Sequence, residues 1–411
     1  MSKKVLITFL DRLDREFCLV GEDGQLLADV LLKYHIPFDS VLAYRNGVTT
    51  SEFDLRLSHK DTLIVKMVRA YQLADFLTEL SIWPSGEGLA TAIMPNVYHK
   101  GILWFGCEGQ AELANRPISK EEFPTFLEDA FVQSILERNL INKGETVGLA
   151  LSGGRDSLAL LYLLIKTRHR LPLFNIVSAT VCENASIKDA QIAKEAAEAL
   201  GIERKFISVE EIKEMFSLKS TMEDALFQIL EKHGKAESIN CAHAYMRTCI
   251  ERYFTSKGIS KVAFGLHNED LLAALFKSMV NGVPFGETLW QKSWGHFQFI
   301  YPLWAITKKE LTIYLELVAP EAHSSQGSPA HFDRGGMNRD IQYFLSDSVQ
   351  TLWPGFSFHA FEGYSQLMRS TNFSQLHHQC PHCKGIYFAE DQQEERICHL
   401  CEHLFDLKQV Q

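Results

Sequence analysis

The sequence predicts an α/β protein built on a doubly wound parallel sheet, with a small strand-rich unit before it and a cysteine module after it. Three observations predict this. From residue 146 onward, short apolar runs alternate with longer helical ones, the pattern of a parallel sheet covered on both faces. Asn46-Gly47 stands between β-prone flanks near the start, the strongest short hairpin signal. Close to the end, Cys380-x-x-Cys383 and Cys398-x-x-Cys401 form two spaced pairs. The 411 residues, 46% hydrophobic and 22% charged, supply a core for two to four domains.

Charge and hydropathy narrow the function class. The formal net charge is −10, from 51 acidic and 41 basic residues, which argues against broad, nonspecific polyanion binding. The opening "MSKKVLITFLDRLDRE" has too short an apolar run for a signal peptide. No stretch reaches the roughly eighteen apolar residues of a membrane span. A cytoplasmic protein without membrane contact is expected, its nine cysteines being thiols or metal ligands rather than disulfides.

Taken in order, "KKVLITFL" reads as a strand, "LLADVLLKYHI" as a helix, "SVLAYRNGVTT" as a hairpin and "DTLIVKMVRAY" as a further strand. This order over residues 1–82 resembles the β-grasp fold of ubiquitin and of small sulfur-carrier proteins. "WPSGEG" at 83–88 carries Pro and Gly and marks a boundary. A linker and helical approach fill 83–142, with Ser119 and Glu122 spaced as a capping box for a helix over 118–142. Residues 143–318 form the alternating core. "TVGLAL" precedes a helix over 156–168. "LFNIVSATV" precedes "IKDAQIAKEAAEALG", with Ser186 as its cap. "KVAFGL" precedes a helix over 269–281, and "FQFIYPL" precedes "KKELTIYLELV". A Ser-, His- and Gly-rich loop at 323–336 opens a helical extension over 319–375, and 376–411 is the cysteine module.

The chemistry concentrates in "LSGGRDSLALLYLLI", where a polar glycine-rich turn joins an apolar strand to an apolar helix. In a doubly wound sheet, ligands bind beyond the carboxyl ends of the strands. Gly153 and Gly154 let the backbone approach a ligand, and the following helix points its positive end the same way, favouring an anion. Ser152 and Ser157 add hydroxyls, and Arg155 offers a planar cation. Asp156 repels phosphate unless a metal ion lies between, so a magnesium–nucleotide complex resolves the set. Neither Gly-x-x-x-x-Gly-Lys nor Gly-x-Gly-x-x-Gly is present. The plainer alternative, a capped helix after a Gly-Gly turn, does not account for Ser-Gly-Gly-x-Asp-Ser directly after a strand.

"SGGRDS" resembles the pyrophosphate loop of the PP-loop ATP pyrophosphatases, whose nucleotide-binding core is an adenine nucleotide α-hydrolase-like sheet. Over roughly residues 105–405 the chain is similar to the tRNA 2-thiolation enzymes of that superfamily. The approach "FPTFLEDAFVQSILERNLINKGETVGLALSGGRDS" is similar in kind and spacing, "FGLHNEDLLAALFKSMVNG" keeps Gly265, Asp270 and Gly282 in step, and "YPLWAITKKEL" resembles the family's following strand. The resemblance implies ATP cleavage to AMP and pyrophosphate and adenylation of a substrate oxygen. It places Ser152, Gly153, Gly154, Arg155, Asp156, Ser157, Gly265 and Asp270 at the nucleotide, with Asp156 reaching magnesium.

The sequence also departs from that pattern. The thiolation enzymes hold an iron–sulfur cluster on three cysteines, the first two as Cys-x-x-Cys opening a helix. In "SINCAHAYMRTCIERYF", Ser238 stands at the first position, Cys241 matches the second, and no cysteine lies near Ala322 for the third. The family's His and first Asp stand here as Leu266 and Glu269, and its amino-terminal zinc finger is reduced to Cys107. No iron–sulfur cluster is expected on this reading. Two readings of Cys241 stay open: a catalytic thiol lowered by a helix start, or a buried structural residue like Cys249 and Cys182. Cys380, Cys383, Cys398 and Cys401 read as a closed structural zinc site, a zinc ribbon.

The expectation is therefore an ATP-dependent adenylating enzyme that activates a carbonyl oxygen for attack by sulfur or nitrogen, with Asp156 and Cys241 as catalytic candidates. The expected cofactors are ATP, Mg2+ and structural Zn2+. A tRNA uridine is the first substrate by resemblance. The alternatives are a ligase adenylating a carboxylate of a small molecule or protein, and an inactive nucleotide-binding scaffold for protein partners. Sulfur carriers end in a free Gly-Gly, whereas this chain runs on through "WPSGEG". The amino-terminal domain is therefore expected to dock a sulfur donor or another protein rather than to carry sulfur.

Overall fold

A computed structural model describes residues 3–10, 16–34, 41–50, 55–67, 123–183, 187–324, 342, 345–346, 349, 356–371, 376–389 and 396–410. The expected boundary at 83–88, the capping pair Ser119 and Glu122, the cap Ser186 and Cys107 all lie outside the described residues. The chain forms two compact units. One comprises Met1–Ala130, Asn268–Gly282 and Ala305–Gly363, and the other Phe131–His267, Val283–Trp304 and Tyr364–Gln411.

The first unit opens with β1 (Lys4–Leu10) and β2 (Glu16–Glu22), followed by helix α1 (Leu27–Lys33) and strands β3 (Val41–Arg45), β4 (Val48–Thr50) and β5 (Leu63–Met67). Period-2 alternation turns Val5, Ile7 and Phe9 of β1 inward, where they meet Leu27, Val30 and Leu31 of α1 and Val65 of β5 in one core. The sheet order is β2-β1-β5-β3-β4, with β1 and β5 parallel and the other pairs antiparallel. Asn46 and Gly47 both take positive φ, 55° and 82°, as a two-residue hairpin of primed type requires.

After α2 (Phe123–Glu137) come β6 (Thr146–Ala150), α3 (Arg155–Thr167), β7 (Asn175–Val181), α4 (Ile187–Ala199) and β8 (Glu203–Ile207). Helices α5 (Val209–Phe216), α6 (Met222–His233) and α7 (Lys235–Ser256) then lead to β9 (Lys261–Ala263). Helix α8 (Asn268–Asn281), the hairpin β10 (Gln291–Trp294) and β11 (Phe297–Ile300), and α9 (Lys308–Val318) follow. Reciprocal capping boxes start α5 (Ser208 and Glu211), α6 (Thr221 and Asp224) and α9 (Thr307 and Glu310).

The second unit is built on a six-stranded sheet ordered β10-β11-β9-β6-β7-β8, parallel except for β10. The chain runs outward from β6 through β7 to β8, then returns to lay β9 on the opposite side of β6. The strand order therefore reverses between β6 and β9, which creates a crevice beyond their carboxyl ends. The expected parallel α/β core is present. Gly148 in β6 lets α7 lie close, since a Cβ there would fall 2.8 Å from the Phe254 ring.

Helix α10 (Phe356–Ser370) precedes the hairpin β12 (Leu376–Gln379) and β13 (Ile386–Ala389), and α11 (His399–Asp406) closes the described chain. The cysteine segment shares a core with α5, α6 and α7, in which Cys380, Cys383, Leu400 and Leu404 pack with Phe216, Ile229 and Tyr245. Buried Glu251 of α7 ties it down, accepting from Ile386 N at 3.0 Å and from Trp294 Nε1 at 2.7 Å. Among the described residues, no helix is long and apolar enough to cross a membrane.

Candidate functional site

The loop between β6 and α3 occupies the crevice that the strand order predicts. It is held from below, since Leu151 N donates to Ala179 O at 2.9 Å and Thr180 Oγ1 donates to Leu151 O at 2.7 Å. Gly153 takes φ +84°, and a Cβ there would sit 1.8 Å from Asp189 O at the start of α4. Only glycine fits this position. Gly154 is different, because a Cβ there would meet Ser152 Oγ at an ordinary 3.4 Å. As the N-cap of α3 it offers no side-chain cap, and the positive end of the helix dipole lies at this loop.

Hydroxyls order the loop from inside. Ser152 Oγ lies 3.0 Å from Ser157 Oγ and accepts from Gly154 N at 3.2 Å, while Ser157 Oγ donates to Gly154 O at 2.9 Å. Asp156 stands in the first turn of α3, half-buried. Arg155 is buried and is not an open surface cation.

The return strand completes the crevice. A Cβ on Gly265 would fall 2.9 Å from Ser157 N and 3.0 Å from Asp156 C, so the segment after β9 lies directly on the first turn of α3. The structure thus brings Ser152, Gly153, Gly154, Arg155, Asp156, Ser157 and Gly265 together. Asp270, on α8, belongs to the other unit. Glu269 beside it caps α9, its Oε2 accepting from Lys308 N at 3.0 Å.

At the end of β7, sequence reading missed Glu183. Burial pushes its carboxyl above the usual range, and a hydrogen bond from the Tyr245 hydroxyl opposes that rise. Its residue type carried no signal. Only its position directly after a core strand, beside Cys182, pointed to the crevice edge.

Cys241 is 2% exposed and packs with the cysteine module. Burial first, then the nearby Glu237 carboxylate, pushes its thiol up to about 12. At neutral pH the thiolate fraction is then on the order of 10⁻⁵, too small for a free nucleophile. Cys249 is held up to about 12 in the same way, chiefly by burial. Of the two readings of Cys241, a thiol lowered by the helix start and a buried structural residue, this geometry favours the second, because Cys241 lies in the second turn of α7 and beside an acid.

The two Cys-x-x-Cys pairs do converge. The Sγ atoms of Cys380, Cys383, Cys398 and Cys401 all lie within 4.8 Å of one another. Backbone N–H groups already point at the sulfurs, Cys398 N to Cys380 Sγ at 3.3 Å and Gly385 N to Cys383 Sγ at 3.4 Å. Four thiolates with N–H donors are a donor set that fits an iron–sulfur centre.

Comparison with known proteins agrees with this geometry. The asparagine synthase family model matches residues 127–231. The chain is 30% identical over 152 residues to the tRNA-cytidine(32) 2-sulfurtransferase of Mannheimia succiniciproducens, covering 36% of this chain and 44% of that protein. It is 22% identical over 327 residues to a probable sulfurtransferase of Methanocaldococcus jannaschii, covering 75% of this chain and 89% of that protein. The chain spans about half or less of the length of the first curated relatives it matches. Among solved structures, the fold matches the U34-tRNA thiolase NcsA from Methanococcus maripaludis with its [4Fe-4S] cluster. That match has a TM-score of 0.53 and 21% identity, and covers 76% of this chain and 94% of that one. The resemblance to PP-loop enzymes of the tRNA-thiolation kind, read from "SGGRDS", therefore holds.

One expectation is corrected. Structural zinc without an iron–sulfur cluster was expected from the missing cysteines at Ser238 and near Ala322. The structure of like fold carries a [4Fe-4S] cluster, and this chain assembles four cysteines elsewhere, at Cys380, Cys383, Cys398 and Cys401. The thiolate set thus points to an iron–sulfur cluster rather than zinc. The error lay in counting cysteines at one helix, when packing gathers four others against α7.

Proposed function

We propose that this protein is an ATP-dependent adenylating enzyme that cleaves Mg·ATP to AMP and pyrophosphate and activates a carbonyl oxygen of a tRNA base for sulfur substitution. The observation that carries the reading is the crevice where Gly153 and Gly265, neither with room for a Cβ, press Asp189 and the segment after β9 onto the start of α3. That close packing fixes the loop at the positive end of α3, which favours an anion. The curated relatives named as tRNA sulfurtransferases support the substrate class.

In this reading the first-turn amides of α3 and the hydroxyls of Ser152 and Ser157 take the leaving pyrophosphate oxygens, and Arg155 lends its charge from beneath. Asp156 holds the magnesium that accompanies the nucleotide, and Gly265 keeps the nucleotide side of the crevice shallow. The base oxygen attacks the α-phosphorus, the α–β phosphoanhydride bond breaks, and pyrophosphate leaves with the negative charge that the helix end stabilises. A sulfur nucleophile then displaces AMP, which carries away the former base oxygen. Cys241 is assigned no step as a free nucleophile.

The four cysteines Cys380, Cys383, Cys398 and Cys401 are proposed to hold an iron–sulfur centre, which when bound would be ligated by protein thiolates throughout and would supply a redox-active, structural cluster. The sheet order β2-β1-β5-β3-β4 with α1 across it supports a β-grasp domain over residues 1–82, serving as a docking surface for a sulfur donor or another protein.

The test is nucleoside mass spectrometry of tRNA incubated anaerobically with the protein, Mg·ATP and inorganic sulfide. Exchange of oxygen for sulfur on one base, absent without ATP, supports the reading. ATP cleavage without any sulfur in the tRNA moves the substrate to a carboxylate and refutes the tRNA assignment.

A further inference from the structure

Two helices bring a second set of metal-binding side chains together, beside the four-cysteine set and made of different residues. Helix α7 contributes Glu237 and Cys241, and α11 contributes His399 and His403. Each pair is spaced i, i+4 and so lies on one helix face. The two faces meet. One ligand atom from each of Glu237, Cys241 and His403 lies within 4.8 Å of the others. Glu237 Oε1 is 3.2 Å from His403 Nε2, 3.6 Å from Cys241 Sγ and 2.7 Å from His399 Nε2. The rings of His399 and His403 meet edge to face at 4.5 Å.

A tetrahedral ion with bonds of about 2.0–2.3 Å spaces its donors about 3.3–3.8 Å apart. The separations from Glu237 to His403 and to Cys241, 3.2 and 3.6 Å, are close to that spacing. Cys241 and His403 are buried, whereas the His399 side chain is 65% exposed. A buried thiol and imidazole thus lie on the inner side, and the exposed His399 imidazole stands beside Glu237 on the solvent side.

We propose that Glu237, Cys241, His399 and His403 form a binding site for one divalent first-row transition ion. One carboxylate, one thiolate and two imidazoles are the mixed donor set that such ions prefer over magnesium or calcium. Binding releases the Cys241 thiol proton to solvent and replaces the hydrogen bonds to Glu237 with bonds to the ion. Cys401 lies between His399 and His403 on α11, so filling this site braces the helix that also presents the four-cysteine set. The inference is independent of the proposed reaction.

Cobalt(II) is the probe, added anaerobically to the full-length protein, with cobalt and iron counted per chain and the thiolate-to-cobalt absorption band recorded. Wild type is expected to take up one cobalt more than His403→Gln or Cys241→Ser, with iron unchanged across the three. Cys380→Ser, which touches only the other set, is expected to keep that band. Equal cobalt uptake by all variants, or loss of the band in Cys380→Ser alone, would overturn the site. Far-ultraviolet circular dichroism of each variant establishes that it is folded. The more conservative Glu237→Gln, expected to weaken cobalt binding at least tenfold, provides a further folded variant.

Discussion

Replacing Gly153 with alanine tests whether the nucleotide loop is held as described, because two separate penalties meet at that residue. The left-handed φ of +84° costs a non-glycine residue roughly 1–2 kcal/mol. The new Cβ would also lie 1.8 Å from Asp189 O and 2.5 Å from Asp189 C, a backbone clash that no rotamer relieves. Overpacking of this kind costs roughly a further 1–3 kcal/mol. The sum is about 2–5 kcal/mol if the loop stays in place, less if it swings away from α4 and loses its shape. Gly144 is the control in the same unit, with φ +87° and nothing within 4 Å of where a Cβ would stand. Urea denaturation of Gly153→Ala and Gly144→Ala, together with pyrophosphate release from Mg·ATP, separates the terms. Gly144→Ala is expected to lose only the φ penalty and to retain turnover. Gly153→Ala is expected to lose more stability, or most of its turnover, or both. Equal stability of the two variants with full turnover in Gly153→Ala would refute the reasoning.

The remaining expectations use other contacts. Gly265→Ala forces the segment after β9 off the backbone of Asp156 and Ser157, and its pyrophosphate release is expected to fall at least tenfold in a steady-state assay while the protein stays folded. Lys261, 7% exposed, donates to both carboxylate oxygens of Glu145 at 2.8 and 2.7 Å; Lys261→Met is expected to cost about 1–3 kcal/mol in urea denaturation. Burial alone would lift the Glu145 carboxyl, but hydrogen bonds from Asn142 and Lys261 outweigh it and hold it below the usual range. The stability from this depressed carboxyl is present above the ordinary carboxylate pKa and is lost as pH falls through the lowered folded value. A urea series from about pH 7 to about pH 3 should therefore show a shallower acid decline in Lys261→Met than in wild type. Glu251→Ala strands Arg247 and the Ile386 and Trp294 N–H donors. It is expected to cost about 3–5 kcal/mol in thermal unfolding and to speed iron loss to a chelator.

What the sequence made legible follows from how local each signal is. The turn at 152–157 could be read because strand, glycine pair, acid and helix are contiguous, and Asn46-Gly47 because its turn type demands positive φ at both residues. Strands β8 and β10 were missed, since "ERKFI" and "QKSW" are polar and short and owe their strand form to neighbours already in the sheet. β2 was missed as well, because "EFCLVGE" lies close to β1 and shows its pattern only once paired. Asp270 and Gly265, five residues apart, fall in different units, a division that no spacing announces. Glu237, His399 and His403 come together only through the packing of α11 on α7. The four cysteines were legible as ligands, but the same thiolate tetrad serves different metals, so the sequence did not name the ion.

The most direct test of the central claim is AMP and pyrophosphate release from Mg·ATP by anaerobically purified wild type and Asp156→Ala, with and without bulk tRNA, with iron and sulfide counted on the same samples. The account predicts equal amounts of AMP and pyrophosphate, stimulation by tRNA, a loss of at least about a hundredfold in Asp156→Ala, and iron that disappears when Cys380 or Cys401 is replaced. Release of ADP and phosphate instead, or AMP formation indifferent to Asp156, would contradict it.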